Sequence, residues 1–249
     1  MKHLFVAILV CLSVVIASAD SGKPVSYQSG NETVKALLYT PPGKGPFPAL
    51  VVIHEYWGLN DWVMEQAAKL ADQGYVTLAI DLYRGKVATT PDEAHELMRG
   101  VPEDRANRDL LAAAEYLRTQ KDVNPRRVGS IGWCMGGGYS LDLALEDPKL
   151  AAVVINYGHL ATDDATLKKI NAPVLGIFGG LDKGIPPESV RTFESQLKAA
   201  GKPVEVHIFE NAGHAFENPN NKLGYRPEDT AQAWKLTVEF LDRNLKQRR

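Results

Sequence analysis

The chain is poor in cysteine, lacks an excess of either charge, and has almost no long apolar run. Its 249 residues hold 2 Cys, too few for a small scaffold stapled by disulfides. No second thiol accompanies Cys134 in its motif, which excludes a dithiol redox protein. Against 30 Asp+Glu stand 28 Lys+Arg, a net charge of -2, scattered without blocks. That balance excludes the basic surface that a nucleic acid or an anionic membrane would require. The segment His54-Glu55-Tyr56-Trp57-Gly58 lacks the second histidine of a zinc-binding helix. The glycine run 136–138 leads into Tyr139-Ser140, not into the Lys-Ser/Thr of a phosphate loop. Neither a metal nor a cofactor is expected. No repeat, low-complexity tract or linker divides the chain.

The one extended apolar run covers residues 4–16, shorter than the ~20 residues of a membrane-spanning helix. Lys2 and His3 precede it, and Ala17-Ser18-Ala19 closes it as a small-residue cleavage site. Residues 1–19 are therefore expected to be a cleaved signal peptide, giving an exported protein, periplasmic or secreted, with no membrane attachment. Leu9 and Val10 before Cys11 are not the small residues that lipid attachment needs. Removing Cys11 leaves Cys134 as a lone thiol in an oxidising compartment, where a reactive role explains it more economically than a structural one. Residues 20–249 suit one domain with a full core.

Apolar, β-branched runs at 33–39, 47–53, 75–80, 127–132, 151–157, 173–178 and 204–209 predict strands. Between them, helical spacing predicts helices from 61 onward, at 92–99, 104–119, 139–145, near Leu167, at 188–199 and at 227–245. Asp61 is the expected cap of the first. Residues 20–28 are polar and form an ordered edge or a short tail. Alternating strands and helices with continuous apolar strands predict an α/β fold, with a mostly parallel central sheet and helices on both faces.

Gly132-Trp133-Cys134-Met135-Gly136-Gly137 follows one of these strands and precedes a helix. This is the pattern of a nucleophile elbow, with cysteine in the place of the usual serine. Asp182 and His214 each follow a strand-like run, on loops where an open α/β sheet gathers its ligands. The chain order nucleophile, acid, histidine is that of the α/β-hydrolases. Cys134, Asp182 and His214 are the expected catalytic residues. The ordinary thiol value of ~8.5 is expected to fall beside a histidine and a helix N-terminus.

With these residues, and with Glu55-Tyr56-Trp57-Gly58-Leu59-Asn60 and Asp81-Leu82-Tyr83-Arg84, the chain resembles the dienelactone hydrolase family of α/β-hydrolases. The resemblance runs from Tyr39 to about Leu241. It implies Cys134 as nucleophile, Asp182 as acid and His214 as base. It also implies that Glu55 hydrogen-bonds the resting thiol and shifts when substrate arrives. The backbone N–H groups of Tyr56 and Met135 match the oxyanion hole, and Arg84 matches an arginine that holds the substrate carboxylate. A second such arginine is expected four residues after the histidine, where this chain has Asn218.

Trp57 and Tyr157, on loops at the same sheet edge, are further candidate substrate contacts, with the core as the competing reading. His54, His95, His159 and His207 are expected to be structural or exposed, and Asp81 a turn or capping residue as much as a catalytic one. The sequence thus predicts a monomeric exported hydrolase of a small-molecule ester or lactone. The alternatives are a carboxylesterase or thioesterase acting on a non-anionic substrate, or a non-catalytic binding protein.

Overall fold

The aliphatic runs become the centre of one sheet. A computed structural model describes residues 22–161 and 163–246; the expected signal peptide and Cys11 lie outside them. Eight strands form, β1 Lys23–Ser29, β2 Glu32–Tyr39, β3 Phe47–Ile53, β4 Val76–Ile80, β5 Val123–Trp133, β6 Val153–Asn156, β7 Val174–Gly179 and β8 Val204–Phe209. Their order is β1-β2-β4-β3-β5-β6-β7-β8. The pairs β1–β2 and β2–β4 are antiparallel and all others parallel.

Side chains alternate across β3. Ala49, Val51 and Ile53 enter one apolar cluster, while Leu50 and Val52 enter the other. The first cluster is covered by α3 (Glu103–Thr119), α4 (Met135–Glu146) and α6 (Pro187–Ala199), through Leu110, Leu117, Leu141 and Phe193. The second is covered by α1 (Asp61–Asp72) and α7 (Pro227–Leu241), through Val63, Leu70 and Phe240. Two further helices, Pro91–Arg99 (α2) and Asp164–Leu167 (α5), complete the set. Apolar burial on both faces explains why the central strands read as unbroken hydrophobic runs.

Several boundaries differ from expectation, among them the start of β5 at Val123, and local reasons account for those at α1, α4 and α7. Of the two readings of the polar stretch before Tyr39, the ordered edge is the one found: Lys23–Ser29 form edge strand β1, which needs no second apolar face. Asn60, not Asp61, caps α1: its backbone is extended and its side chain accepts from the Val63 N–H at 3.2 Å. The α4 helix starts at Met135, not at 139, because its glycines let the first turn lie against neighbouring backbone. The last α-helix ends at Leu241 and continues as a π turn, Asp242–Lys246.

The chain leaves β3 toward β4 on one side and later returns to β5 on the other. This reversal opens a crevice at the carboxyl ends of β3 and β5. Away from it, the Asp109 carboxyl of α3 is fully buried and stands 2.7 Å from Arg84. Arg84 also pairs with Glu32 at 2.8 Å, and Glu32 with Arg108 at 3.1 Å. Removing one partner of a buried pair leaves an uncompensated charge, at ~3–5 kcal/mol. Arg84→Met is therefore expected to lower the unfolding free energy in urea by about that amount. Adding Asp109→Leu should recover most of it, and an Arg84→Met protein as stable as wild type would contradict this assignment.

Candidate active site

Cys134 is the only residue between β5 and α4, and its backbone is held at φ 54°, ψ -118°. L-residues rarely adopt this conformation, so the surroundings must enforce it. Its N–H donates to the Asn156 carbonyl at 3.0 Å, and its own carbonyl accepts from Gly137 at 3.0 Å. A Cβ on Gly132 would collide with the Gly136 carbonyl, and one on Gly136 with the carbonyls of Ile53 and His54. The glycines of the motif thus let strand, elbow and helix touch backbone to backbone. Cys134 is partly buried and lines a cavity of about 700 Å³, within the usual range for small-molecule sites.

Asp182 follows β7 and His214 follows β8. The Asp182 carboxylate is buried, and its Oδ2 lies 2.7 Å from His214 Nδ1. Its Oδ1 accepts from the backbone of Gly184 at 2.9 Å and Ile185 at 3.1 Å. Burial opposes its charge, but the His214 contact and these two N–H groups outweigh it and hold the carboxyl below its ordinary range. Burial likewise opposes charging His214. The hydrogen bond to Asp182 and the interaction with Cys134 prevail and push the ring up to about 10. Tyr157 meets the imidazole edge-on at 5.3 Å between centroids, which fixes its plane.

Glu55 follows β3 and is buried, with its Oε2 accepting from Asn218 Nδ2 at 2.6 Å. Burial pushes its carboxyl up to about 7 against the pull of Asn218, His214 and Tyr157. His54 is structural: Nε2 accepts from the Leu82 N–H at 3.2 Å and Nδ1 donates to the Glu55 carbonyl at 2.6 Å. It therefore ties the ends of β3 and β4 together, and burial lowers its proton affinity. The Tyr83 hydroxyl donates to the Tyr56 carbonyl at 3.0 Å and lies 3.3 Å from Met135 Sδ, joining the loop after β3 to the start of α4. Asp81 accepts from the N–H groups of Tyr83 and Gly85 and so holds a turn.

The structure gathers Glu55, Tyr56, Trp57, Cys134, His214 and Asn218 around the cavity. It does not gather Arg84, whose guanidinium is engaged by Glu32 and buried Asp109. Tyr157 is fully buried behind His214 and does not line the cavity. The expectation of both as substrate contacts is corrected on these grounds. His95 and Met98 of α2, with Asn221, Lys222 and Leu223, form wall that the sequence had not marked. His95 sits there against Tyr56, edge to face at 5.3 Å; no local motif signals it. Among the described residues, no group of three or more His, Cys, Asp or Glu is placed to hold a metal ion.

A model of the dienelactone hydrolase family matches residues 34–245. The chain belongs to the dienelactone hydrolase family. A relative from Aquifex aeolicus, named "Putative carboxymethylenebutenolidase", is 30% identical over 232 residues, 90% of this chain and 100% of that protein. A dienelactone hydrolase-like promiscuous phosphotriesterase from metagenomic libraries superposes with a TM-score of 0.84 at 25% identity, covering 92% of this chain and 99% of the other. A dienelactone hydrolase from Anabaena variabilis shares the fold, with a TM-score of 0.70 at 23% identity over 92% of this chain and 100% of its own. In this member of the dienelactone hydrolase family the cavity is lined by residues that follow the parallel strands β3, β5 and β8, at their carboxyl ends.

The His214 shift fixes a pH window. The folded-state value of about 10 lies above the ordinary 6.5, so the stability gained from the imidazolium is fully present below pH 6.5 and lost as pH rises through about 10. The difference in unfolding free energy between wild type and His214→Gln is expected to shrink across that window. A difference constant from pH 6 to 10 would mean that the folded ring carries no extra proton.

Proposed function

We propose that this protein hydrolyses a carboxylic ester or lactone through Cys134, His214 and Asp182, by way of an acyl-enzyme. The observation that carries this reading is the 2.7 Å contact between His214 Nδ1 and Asp182, with Cys134 as the ring's other partner at the cavity. Since Nδ1–H faces the carboxylate, Nε2 is the nitrogen that exchanges the thiol proton. Sγ bonds to the substrate carbonyl carbon, and the carbonyl oxygen takes the electron pair. The N–H groups of Tyr56 and Met135 are the donors proposed for that oxyanion; Met135 begins α4, where first-turn N–H groups have no helical acceptor. Collapse breaks the ester C–O bond while His214 protonates the leaving oxygen. Water, deprotonated by the same ring, then cleaves the thioester and frees the acid and the thiol. Glu55 is the residue proposed to regulate the resting thiol, because a buried carboxylate disfavours a second negative charge beside it.

The charges around the cavity favour a substrate that is neutral near its reacting carbon. Arg84 is spent on Glu32 and Asp109, and Asn218 on Glu55. Lys222 is the lysine that lines the cavity, and it is exposed. Tyr56, Trp57, Met98 and Leu223 offer apolar contact for an acyl or alcohol group. The protein is further proposed to be exported, a reading supported by the signal-like residues 1–19, and to act as a monomer.

Cys134→Ala is expected to abolish turnover, and iodoacetamide to block wild type with one adduct at Cys134. Neutral aryl esters should be cleaved at least tenfold more efficiently than carboxylated lactones of similar size. Full activity in Cys134→Ala would end the mechanism; a preference for carboxylated lactones that Arg84→Ala removes would end the charge assignment. Intact mass of protein from an exporting host should place the mature start at Asp20.

A further inference from the structure

The proposed oxyanion site depends on one peptide group, the one that joins Glu55 to Tyr56 just after β3. Neither the Tyr56 N–H nor the Met135 N–H donates to an acceptor among the described residues, and Tyr56 borders the cavity. A backbone N–H without a protein partner has to be held where a ligand can meet it. The carbonyl at the other end of that peptide is fully engaged: His54 Nδ1 lies 2.6 Å from the Glu55 oxygen and the Gly58 N–H donates to it at 3.1 Å. His54 is fully buried, and its tautomer is dictated by its partners. A backbone N–H only donates and a carbonyl only accepts, so Nε2, 3.2 Å from the Leu82 N–H, is unprotonated and Nδ1 carries the proton. Tyr83 comes next in the chain, and its ring meets the imidazole edge-on at 4.8 Å between centroids. Its hydroxyl donates to the Tyr56 carbonyl at 3.0 Å and lies 3.3 Å from Met135 Sδ. The peptide before Cα of Tyr56 is thus fixed by His54, and the peptide after it by Tyr83.

We propose that His54 is a positioning residue for the oxyanion hole: through the Glu55 carbonyl it aims and polarises the Tyr56 N–H that meets the developing oxyanion. The inference rests on the proposed hydrolysis through Cys134. A hydrogen bond accepted by a peptide carbonyl draws electron density from its nitrogen, so the N–H at the other end donates more strongly. The imidazole is itself held by Leu82, so no reorganisation is needed at the moment of reaction. Leu82 and Tyr83, just past β4, hold His54 and Tyr56 in turn, and so tie the loop after β3 to the neighbouring strand. Met135, the second proposed donor, touches the same tyrosine. The two N–H groups are therefore set relative to each other through one pair of packed rings. His54 does not line the cavity and makes no contact of its own with substrate. Its loss is felt where charge develops, in the transition state, and not in ground-state binding.

His54→Phe keeps a ring in place and removes both of its hydrogen bonds. It is expected to lower kcat on a neutral aryl ester by about tenfold or more, with KM within about twofold of wild type. A trifluoromethyl ketone captures the thiol as an oxyanion: Sγ adds to the carbonyl carbon, the oxygen takes the electron pair and the thiol proton passes to His214. Its affinity, read by fluorine NMR, should fall by a similar factor. Iodoacetamide alkylation of Cys134 forms no oxyanion and should keep the wild-type rate, which a merely disordered elbow would not. His54→Asn, which can place an N–H near the Nδ1 position, should recover most of the ketone affinity. Tyr83→Phe, which removes one hydroxyl, should show a smaller loss of the same kind, and it stands in should His54→Phe fail to fold. Ketone affinity unchanged in Tyr83→Phe and in folded His54→Phe, or a loss that alkylation shares in equal measure, would overturn the proposal. Ketone capture needs no turnover, so a wild type that binds the ketone yet cleaves no ester would fail the hydrolase reading alone.

Discussion

The carbonyls of Ile53 and His54 lie where a side chain on Gly136 would begin, and the Gly136 carbonyl where one on Gly132 would begin. This direct contact of backbones draws the end of β3, the end of β5 and the first turn of α4 together. Cys134 has nowhere to go except its left-handed conformation, with its amide secured to Asn156. The placement of the thiol, of the N–H groups around it and of Glu55 across from it follows from that one close approach. Tyr157 and Ala215 are also held at positive φ, each on a segment that follows a strand of the sheet. Local strain is thus spread around the rim of the site while the apolar strands beneath it remain regular.

Charge is arranged as strictly as shape. The histidine ring draws its proton affinity from a buried carboxylate on one side and a thiol on the other. The arginine that resembled a substrate-binding residue is instead consumed in neutralising a carboxylate under α3. Asn218 turns a position expected to bind a substrate anion into a hydrogen-bond donor for Glu55. The cavity is therefore lined more by apolar and amide groups than by cations.

The strands, the elbow and the chain order of Cys134, Asp182 and His214 could be read from residue order because they rest on local patterns: apolar runs followed by loops, and glycines at fixed spacing. What could not be read depends on partners distant in the chain. Arg84 looked available until Glu32 and Asp109 were brought to it by the β1–β2 edge and α3. Tyr157 looked like cavity wall until His214 folded across it. His54 carried no local signal beyond that of a structural histidine, since Leu82 and Tyr83 reach its ring only through the pairing of β3 with β4. His95 and Met98 gained a place in the cavity only through the docking of α2.

That helix has a consequence of its own. Of the nine residues of α2, only Ala94 is buried, yet the helix supplies His95 and Met98 to the cavity wall. Substitution on its cavity face disturbs little of the core, while the elbow on the opposite side tolerates almost none. The thiol thus rests on tightly packed backbone, while part of the cavity wall rests on a helix anchored by a single buried residue.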